Sequence, residues 1–115
     1  MFSLFSKKFL YFPGCFTNSV APDIVDNYKQ ILDYLRIQYF MLPSSDCCGA
    51  IAFDNGYKTD FLNLKEKNSL IFKRNKVKSI VTNSGNCMRT IALEYGMPVQ
   101  HISQILVKYV KKFPV

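Results

Sequence analysis

Short apolar runs alternate with amphipathic segments along the whole chain. The runs are rich in β-branched and aromatic residues and are bounded by Gly, Pro or Asn, which is typical of strands. The four predicted strands are Lys8–Phe12, Ile37–Leu42, Val77–Thr82 and Pro98–His101.

One segment between these runs, Ser44–Tyr57, is predicted to be a loop because it is rich in small residues. In the other segments, apolar residues recur at the spacing of one helix face. In the first helix the predicted inward face comprises Ile24, Tyr28, Ile31, Leu32 and Leu35. The four predicted helices are Ser19–Arg36, Thr59–Asn75, Cys87–Gly96 and Ile102–Phe113.

Asn68 interrupts the apolar face of the second predicted helix, which includes Phe61, Leu64, Ile71 and Phe72. A buried Asn requires hydrogen-bond partners. Three explanations are open: a local hydrogen bond, partial exposure, or a contact near the cysteine-containing loops.

The order β-α-β-α-β-α-β-α predicts an α/β fold, with a mostly parallel four-stranded sheet and helices on its faces. The carboxyl ends of parallel strands lie at one edge, where open α/β sheets bind their ligands. Cys15, Cys47, Cys48, Cys87 and His101 all follow predicted strands. We therefore expect these residues to converge on one patch although they are far apart in the sequence.

A single domain over residues 1–115 is expected from the length, and 49% hydrophobic content supplies a core. No apolar run approaches the ~20 residues that a membrane span requires. The net charge of +7 comes from lysines interleaved with acidic residues. We interpret them as solvated helix faces, with an acidic partner or an anionic substrate as the alternative. No nucleic-acid motif is present, so no nucleic-acid partner is expected.

Each of the four cysteines lies in or beside a glycine-containing turn. Lys7 and Lys8 interrupt the first apolar stretch, so it does not resemble a secretory signal, and we expect a cytoplasmic protein with reduced thiols. In that compartment the cysteines are expected to be ligands or redox groups rather than disulfides, although buried cysteines without a function remain an alternative.

The cysteine spacing is C-x31-C-C-x35-S-x-x-C. This pattern resembles the cysteine-rich CCG domain family of heterodisulfide reductase B subunits, glycolate and glycerol-3-phosphate oxidising iron–sulfur subunits, and lactate-utilisation proteins. The resembling stretches are residues 11–15, 47–57, 83–87 and 101–103. The Ser-Gly-x-Cys turn is closest to the lactate-utilisation branch.

Two departures from the family pattern change what the resemblance implies. Ser84 stands at the fifth cysteine position, which argues against a five-thiolate noncubane cluster. The chain also holds one such domain where many members hold two in tandem. A partner is therefore expected to supply a second CCG-type half or a redox subunit, and a second copy of this chain could do so.

The thiolates Cys15, Cys47, Cys48 and Cys87 suit an iron–sulfur cluster, with 4Fe–4S favoured, or a tetrahedral zinc ion. Adjacent Cys47 and Cys48 fit a multi-metal cluster better than one ion. Around the cofactor, Gly14, Gly49 and Gly85 would let backbone N–H groups approach the sulfurs. Ser84 is either a hydroxyl donor at the cofactor or a turn residue. His101 has two possible roles: it binds or donates a hydrogen bond to the cofactor, or it is a structural group at the start of a helix.

We therefore expect an iron–sulfur-binding, electron-transfer module of a larger oxidoreductase, either heterodisulfide reductase-like or hydroxy-acid oxidising. The chain is not expected to hold a complete active site. The first alternative is a zinc-binding or metal-free assembly domain. The second alternative is a thiol-based disulfide reductase subunit, which requires a reactive thiol of low pKa.

Overall fold

The fold is built on a sheet of four short parallel strands. They are β1 (Phe9–Phe12), β2 (Tyr39–Phe40), β3 (Ile80–Thr82) and β4 (Val99–His101). In this computed structural model, which describes residues 9–14, 21–42 and 48–109, the strand order is β2-β1-β3-β4. Each neighbouring pair is parallel, which confirms the predicted α/β class and sheet.

The register of the sheet brings the ends of β1, β3 and β4 level with one another. Phe12 is paired with Thr82, and Thr82 is paired with His101. The residues that follow these three positions therefore share the carboxyl edge of the sheet. This edge is where the sequence predicts the functional patch.

Helical segments connect the strands. A five-residue π-helical segment, Ile91–Tyr95, continues the fourth helix directly. The helices are α1 (Pro22–Tyr34), α2 (Ala50–Asp54), α3 (Lys58–Arg74), α4 (Gly85–Thr90) and α5 (Ile102–Lys108).

Two apolar cores cover the two faces of the sheet, because successive strand residues point to opposite faces. On one face Leu10, Phe12 and Ile80 pack with residues of α2, α3, α4 and the π-helical segment. On the other face Tyr11 and Val81 pack with residues of α1 and α5. Cys48 and Cys87 belong to the first core, so the cysteine site is anchored in the packed interior.

The predicted inward face of the first helix is wrong at Ile24, which is 43% exposed. Val25 is buried instead, as are Leu32 and Leu35. Successive helical residues are rotated by about 100°. Centring the buried stripe on Val25, Tyr28, Leu32 and Leu35 moves Ile24 to its edge.

The predicted loop Ser44–Tyr57 is wrong in part, because Ala50–Asp54 is helical. Five residues are too few to show helical periodicity. The other boundaries agree with the prediction to within a few residues at each end, and Gly96 ends the segment after Cys87 in a left-handed conformation as expected for a C-cap.

Some predictions fall on residues outside the described ranges. These are Cys15 and Cys47, the first residues of the predicted strand at Lys8 and helix at Ser19, and the last turn of the final helix up to Phe113. In the described part of the chain, no helix has the length and apolar character that crossing a membrane requires.

Candidate metal centre

Two of the four predicted ligands, Cys48 and Cys87, meet in the interior. Cys48 donates its S–H to the Cys87 Sγ across 3.0 Å, although the residues are 39 positions apart. The two thiols are 1% and 5% exposed. Their separation exceeds the ~2.05 Å of a disulfide bond, so the sulfurs are neighbours that are not bonded to each other.

Each of the two cysteines lies at the beginning of a helix. Cys48 directly precedes Gly49, the N-cap of α2, and Cys87 lies in the first turn of α4. Arg89 of α4 also forms a salt bridge of 3.2 Å with Asp54 of α2. This pair is exposed and contributes little stability, up to ~1 kcal/mol, but it joins the two helices that carry the thiols.

Gly14 forms the third side of the site. Its φ is +84°, and a Cβ added there would lie 3.3 Å from the Cys87 Sγ and 3.4 Å from the Ser84 Cβ. A side chain at this position would therefore occupy space directly against the thiol. The predicted approach of the Gly14 N–H group to the sulfurs stays a prediction.

The remaining cysteines are joined to this site through the chain. Cys15 follows Gly14, and Cys47 precedes Cys48. Both lie outside the described residues, so their part in the site stays a prediction. Among the described residues alone, no group of three or more His, Cys, Asp or Glu side chains is arranged to hold a metal ion.

Ser84 holds the turn that carries Cys87. Its Oγ accepts a hydrogen bond from the Cys87 backbone N–H at 3.2 Å, and it is the N-cap of α4. Its own N–H donates to the buried Thr82 Oγ1 at 3.2 Å. The turn role is therefore observed, and a donor role of the Ser84 hydroxyl at a cofactor stays a prediction.

Replacing Ser84 with alanine is expected to lower the free energy of unfolding of the metal-free protein by about 1 kcal/mol, the usual cost of losing an N-cap. Ser84→Thr keeps the capping oxygen and should retain most of that stability. Urea denaturation of the two variants measures the difference. Equal losses in both variants would show that the cap does not hold this turn.

Gly49 and Gly85 differ in what they do. Gly49 has φ +92°, and an added Cβ would lie only 2.8 Å from the Phe61 Cδ1, so glycine lets α2 pack against α3. Gly85 begins α4, and a Cβ there would meet nothing within 4 Å. Neither environment tests the predicted approach of their N–H groups to the sulfurs, which stays a prediction.

His101 is the N-cap of α5, at the predicted edge of the sheet. Its Nδ1 accepts from the Ser103 N–H at 3.0 Å, and its own N–H donates to the Gln104 Oε1 at 2.8 Å. These bonds form a capping box. The structural helix-entry role is therefore observed, and a role of His101 at the cofactor stays a prediction.

Asn68 makes the contact near the cysteines that the sequence left open. It is 2% exposed and donates through Nδ2 to the Tyr95 hydroxyl at 3.1 Å. That hydroxyl donates in turn to the Cys48 carbonyl oxygen at 2.8 Å. Nothing in the spacing of Tyr95 marks it in the sequence, and the only signal of this contact is the polar Asn68 in an apolar stripe.

Tyr11 supports the same edge from the other face of the sheet. Its hydroxyl donates to the Asn83 Oδ1 at 3.0 Å, just before the Ser84 turn. Burial, with a smaller contribution from Tyr28 and Tyr39, raises the pKa of Tyr11 well above its ordinary value. The Tyr11 hydroxyl therefore keeps its proton and its donor role throughout the physiological pH range.

Residues 9–92 match the CCG family, which is described as a cysteine-rich domain. The chain belongs to the CCG family. The matched CCG range contains all four cysteines and Ser84, whereas His101 and α5 lie beyond it. No solved structure matches the chain. The CCG assignment and the paired thiols are consistent with a metal-binding or iron–sulfur-binding module.

Proposed function

We propose that this chain binds an iron–sulfur cluster through Cys15, Cys47, Cys48 and Cys87 and serves as an electron-transfer module of a larger oxidoreductase. The observation that carries the proposal is the buried pair of thiols, Cys48 and Cys87, 3.0 Å apart at the carboxyl edge of a parallel sheet. Separate loops supply these sulfurs, which is how a fold gathers ligands for one cofactor.

The residues at the site fit a thiolate-bound group. Both described thiols are soft ligands, and Cys15 and Cys47 are each one peptide bond from a residue at the site. The absent Cβ of Gly14 leaves space directly beside the Cys87 Sγ. The polar groups nearby hold the backbone of both cysteine turns, so the site is organised around the sulfurs.

An iron–sulfur cluster bound here, with 4Fe–4S favoured, would supply one-electron transfer. The chain's own residues would hold the thiolates, exclude water from them through the first core, and fix the two turns through Ser84 and Tyr95. Hydrogen bonds and burial of this kind are the means by which a protein sets a cluster's reduction potential.

The oxidoreductase context rests on the family assignment. We propose a protein partner that carries a second CCG-type half or a redox subunit, and a second copy of this chain is one such partner. Hydroxy acids and disulfides are the proposed substrate classes of the complete enzyme. A reducing compartment such as the cytoplasm suits thiol ligands that must stay reduced.

The burial of Cys48 and Cys87 argues against these two cysteines as the reactive thiols of a disulfide reductase. A reactive cysteine needs a partly exposed environment in which an attacking thiolate can reach its substrate. At 1% and 5% exposure, neither thiol is accessible to a disulfide substrate in this conformation.

Metal and sulfide analysis of anaerobically purified protein tests the proposal against zinc. Iron with acid-labile sulfide in comparable amounts supports the cluster. Zinc in one equivalent without sulfide would replace the proposal with the structural alternative, in which chelation should unfold the protein. Protein that contains neither metal would contradict the cluster and support the metal-free form of the structural alternative.

A further inference from the structure

The backbone of Cys48 accepts a hydrogen bond from Tyr95, which lies at the end of the helical segment that begins with α4. Tyr95 is the last residue of the π-helical segment that continues α4, and its hydroxyl lies 2.8 Å from the Cys48 carbonyl oxygen. Cys87 lies in the first turn of the same continuous segment. One helical unit thus carries one thiol at its start and contacts the backbone of the other thiol at its end.

The geometry of the segment explains how Tyr95 can reach back. Long side chains on a helix point towards its N-terminus, which here is the end that carries Cys87. The π-helical turn adds a residue to the helical repeat and so changes the direction in which Tyr95 projects. Gly96 ends the segment immediately afterwards with φ +67°.

Asn68 determines the direction of the hydrogen bond. A tyrosine hydroxyl has one proton to donate. Because the Asn68 Nδ2 donates to the Tyr95 oxygen at 3.1 Å, the hydroxyl proton is directed to the Cys48 carbonyl. Phe72 packs on the Tyr95 ring at a centroid separation of 6.1 Å, which restrains the ring.

We propose that Tyr95 and Asn68 are positioning residues that hold the Cys48 turn in the conformation in which its thiol faces Cys87. The proposal deepens the function above, since it assigns two residues that prepare the ligand site before any metal binds. The proposal predicts that losing the Asn68–Tyr95–Cys48 hydrogen bonds makes the Cys48 turn open more often in the metal-free protein.

The test is the rate at which iodoacetamide alkylates each thiol in reduced, metal-free protein. Fragmentation mass spectrometry separates Cys48 from the adjacent Cys47, and Cys87 is the internal reference. Tyr95→Phe keeps the ring and removes the hydroxyl. We expect alkylation of Cys48 to rise about fivefold relative to Cys87, because losing one hydrogen bond of ~1 kcal/mol raises the locally open population by that factor.

Asn68→Leu supplies a second test. Leucine is similar in volume to asparagine and removes the Nδ2 donor that directs the Tyr95 hydroxyl proton to the Cys48 carbonyl. We expect it to reproduce the selective rise at Cys48. Val25→Ala is the control, since it weakens the opposite core and should change alkylation of both thiols alike.

A Cys48-to-Cys87 ratio within twofold of wild type in Tyr95→Phe would overturn the proposal, as would an equal rise at both thiols. The readout needs no metal, so it is separate from the test of the cluster. If the wild-type protein holds iron, Tyr95→Phe should also lose that iron faster to a chelator. Wild-type protein without iron would contradict the proposed function. The alkylation result would then still decide whether Tyr95 and Asn68 position the Cys48 turn.

Discussion

Replacing Cys87 with serine is expected to remove the proposed iron and sulfide from the purified protein while the fold remains. Serine oxygen is a hard ligand and does not replace a thiolate on a soft metal centre. Loss of residues that merely orient ligands costs 10–100-fold in metal affinity, so loss of a ligand should reduce the bound iron at least about tenfold. Iron and sulfide content per chain measures the effect, and circular dichroism reports the fold.

The matched comparison uses two further variants. Cys48→Ser should give the same loss, because its sulfur lies 3.0 Å from that of Cys87. Ile91→Val is the control: Ile91 is fully buried in the same core, and the substitution costs about 0.5–1.5 kcal/mol without removing a thiol. Iron that persists in Cys87→Ser at the level of the control would show that Cys87 is not a ligand.

Gly14→Ala is expected to lower metal retention about tenfold or more, although it adds only a methyl group. The new Cβ would lie 3.3 Å from the Cys87 Sγ, so the thiol or the Gly14 turn must move by a few tenths of an ångström. The substitution also places alanine at φ +84°, which costs roughly 1–2 kcal/mol in the left-handed region. Displacement of the thiol should lower metal retention, and backbone strain should lower the free energy of unfolding.

Gly56→Ala separates these two effects. Gly56 has φ +82°, nearly the same as Gly14, but an added Cβ would meet nothing within 4 Å. Gly56→Ala should therefore lose only the stability that the backbone strain costs, and Gly14→Ala should lose at least as much in urea denaturation. Only Gly14→Ala should lose metal. Equal metal retention in the two variants would mean that the space beside the Cys87 thiol is not part of the cofactor site.

The sequence was sufficient to predict the sheet and the meeting of Cys48 with Cys87. Strand and helix patterns alternate clearly, and parallel strands place their carboxyl ends at one edge. That argument depends only on which residues follow strands. It needs no knowledge of side-chain packing, and it therefore succeeds for residues far apart in the sequence.

The supporting contacts could not be predicted in the same way. Tyr95 contacts Cys48 from the end of a π-helical segment, and no spacing rule predicts that segment. The helix Ala50–Asp54 is shorter than the window in which periodicity is visible. Asn68 was visible as a polar residue on an apolar face, but its partner depends on tertiary packing.

The most direct test of the account is the electron paramagnetic resonance and visible absorption of anaerobically prepared protein before and after reduction with dithionite. The account predicts a brown protein whose broad absorption changes on reduction together with an electron paramagnetic resonance signal, both absent from Cys87→Ser. A colourless protein with no signal in either redox state, after reconstitution with iron and sulfide, would contradict it.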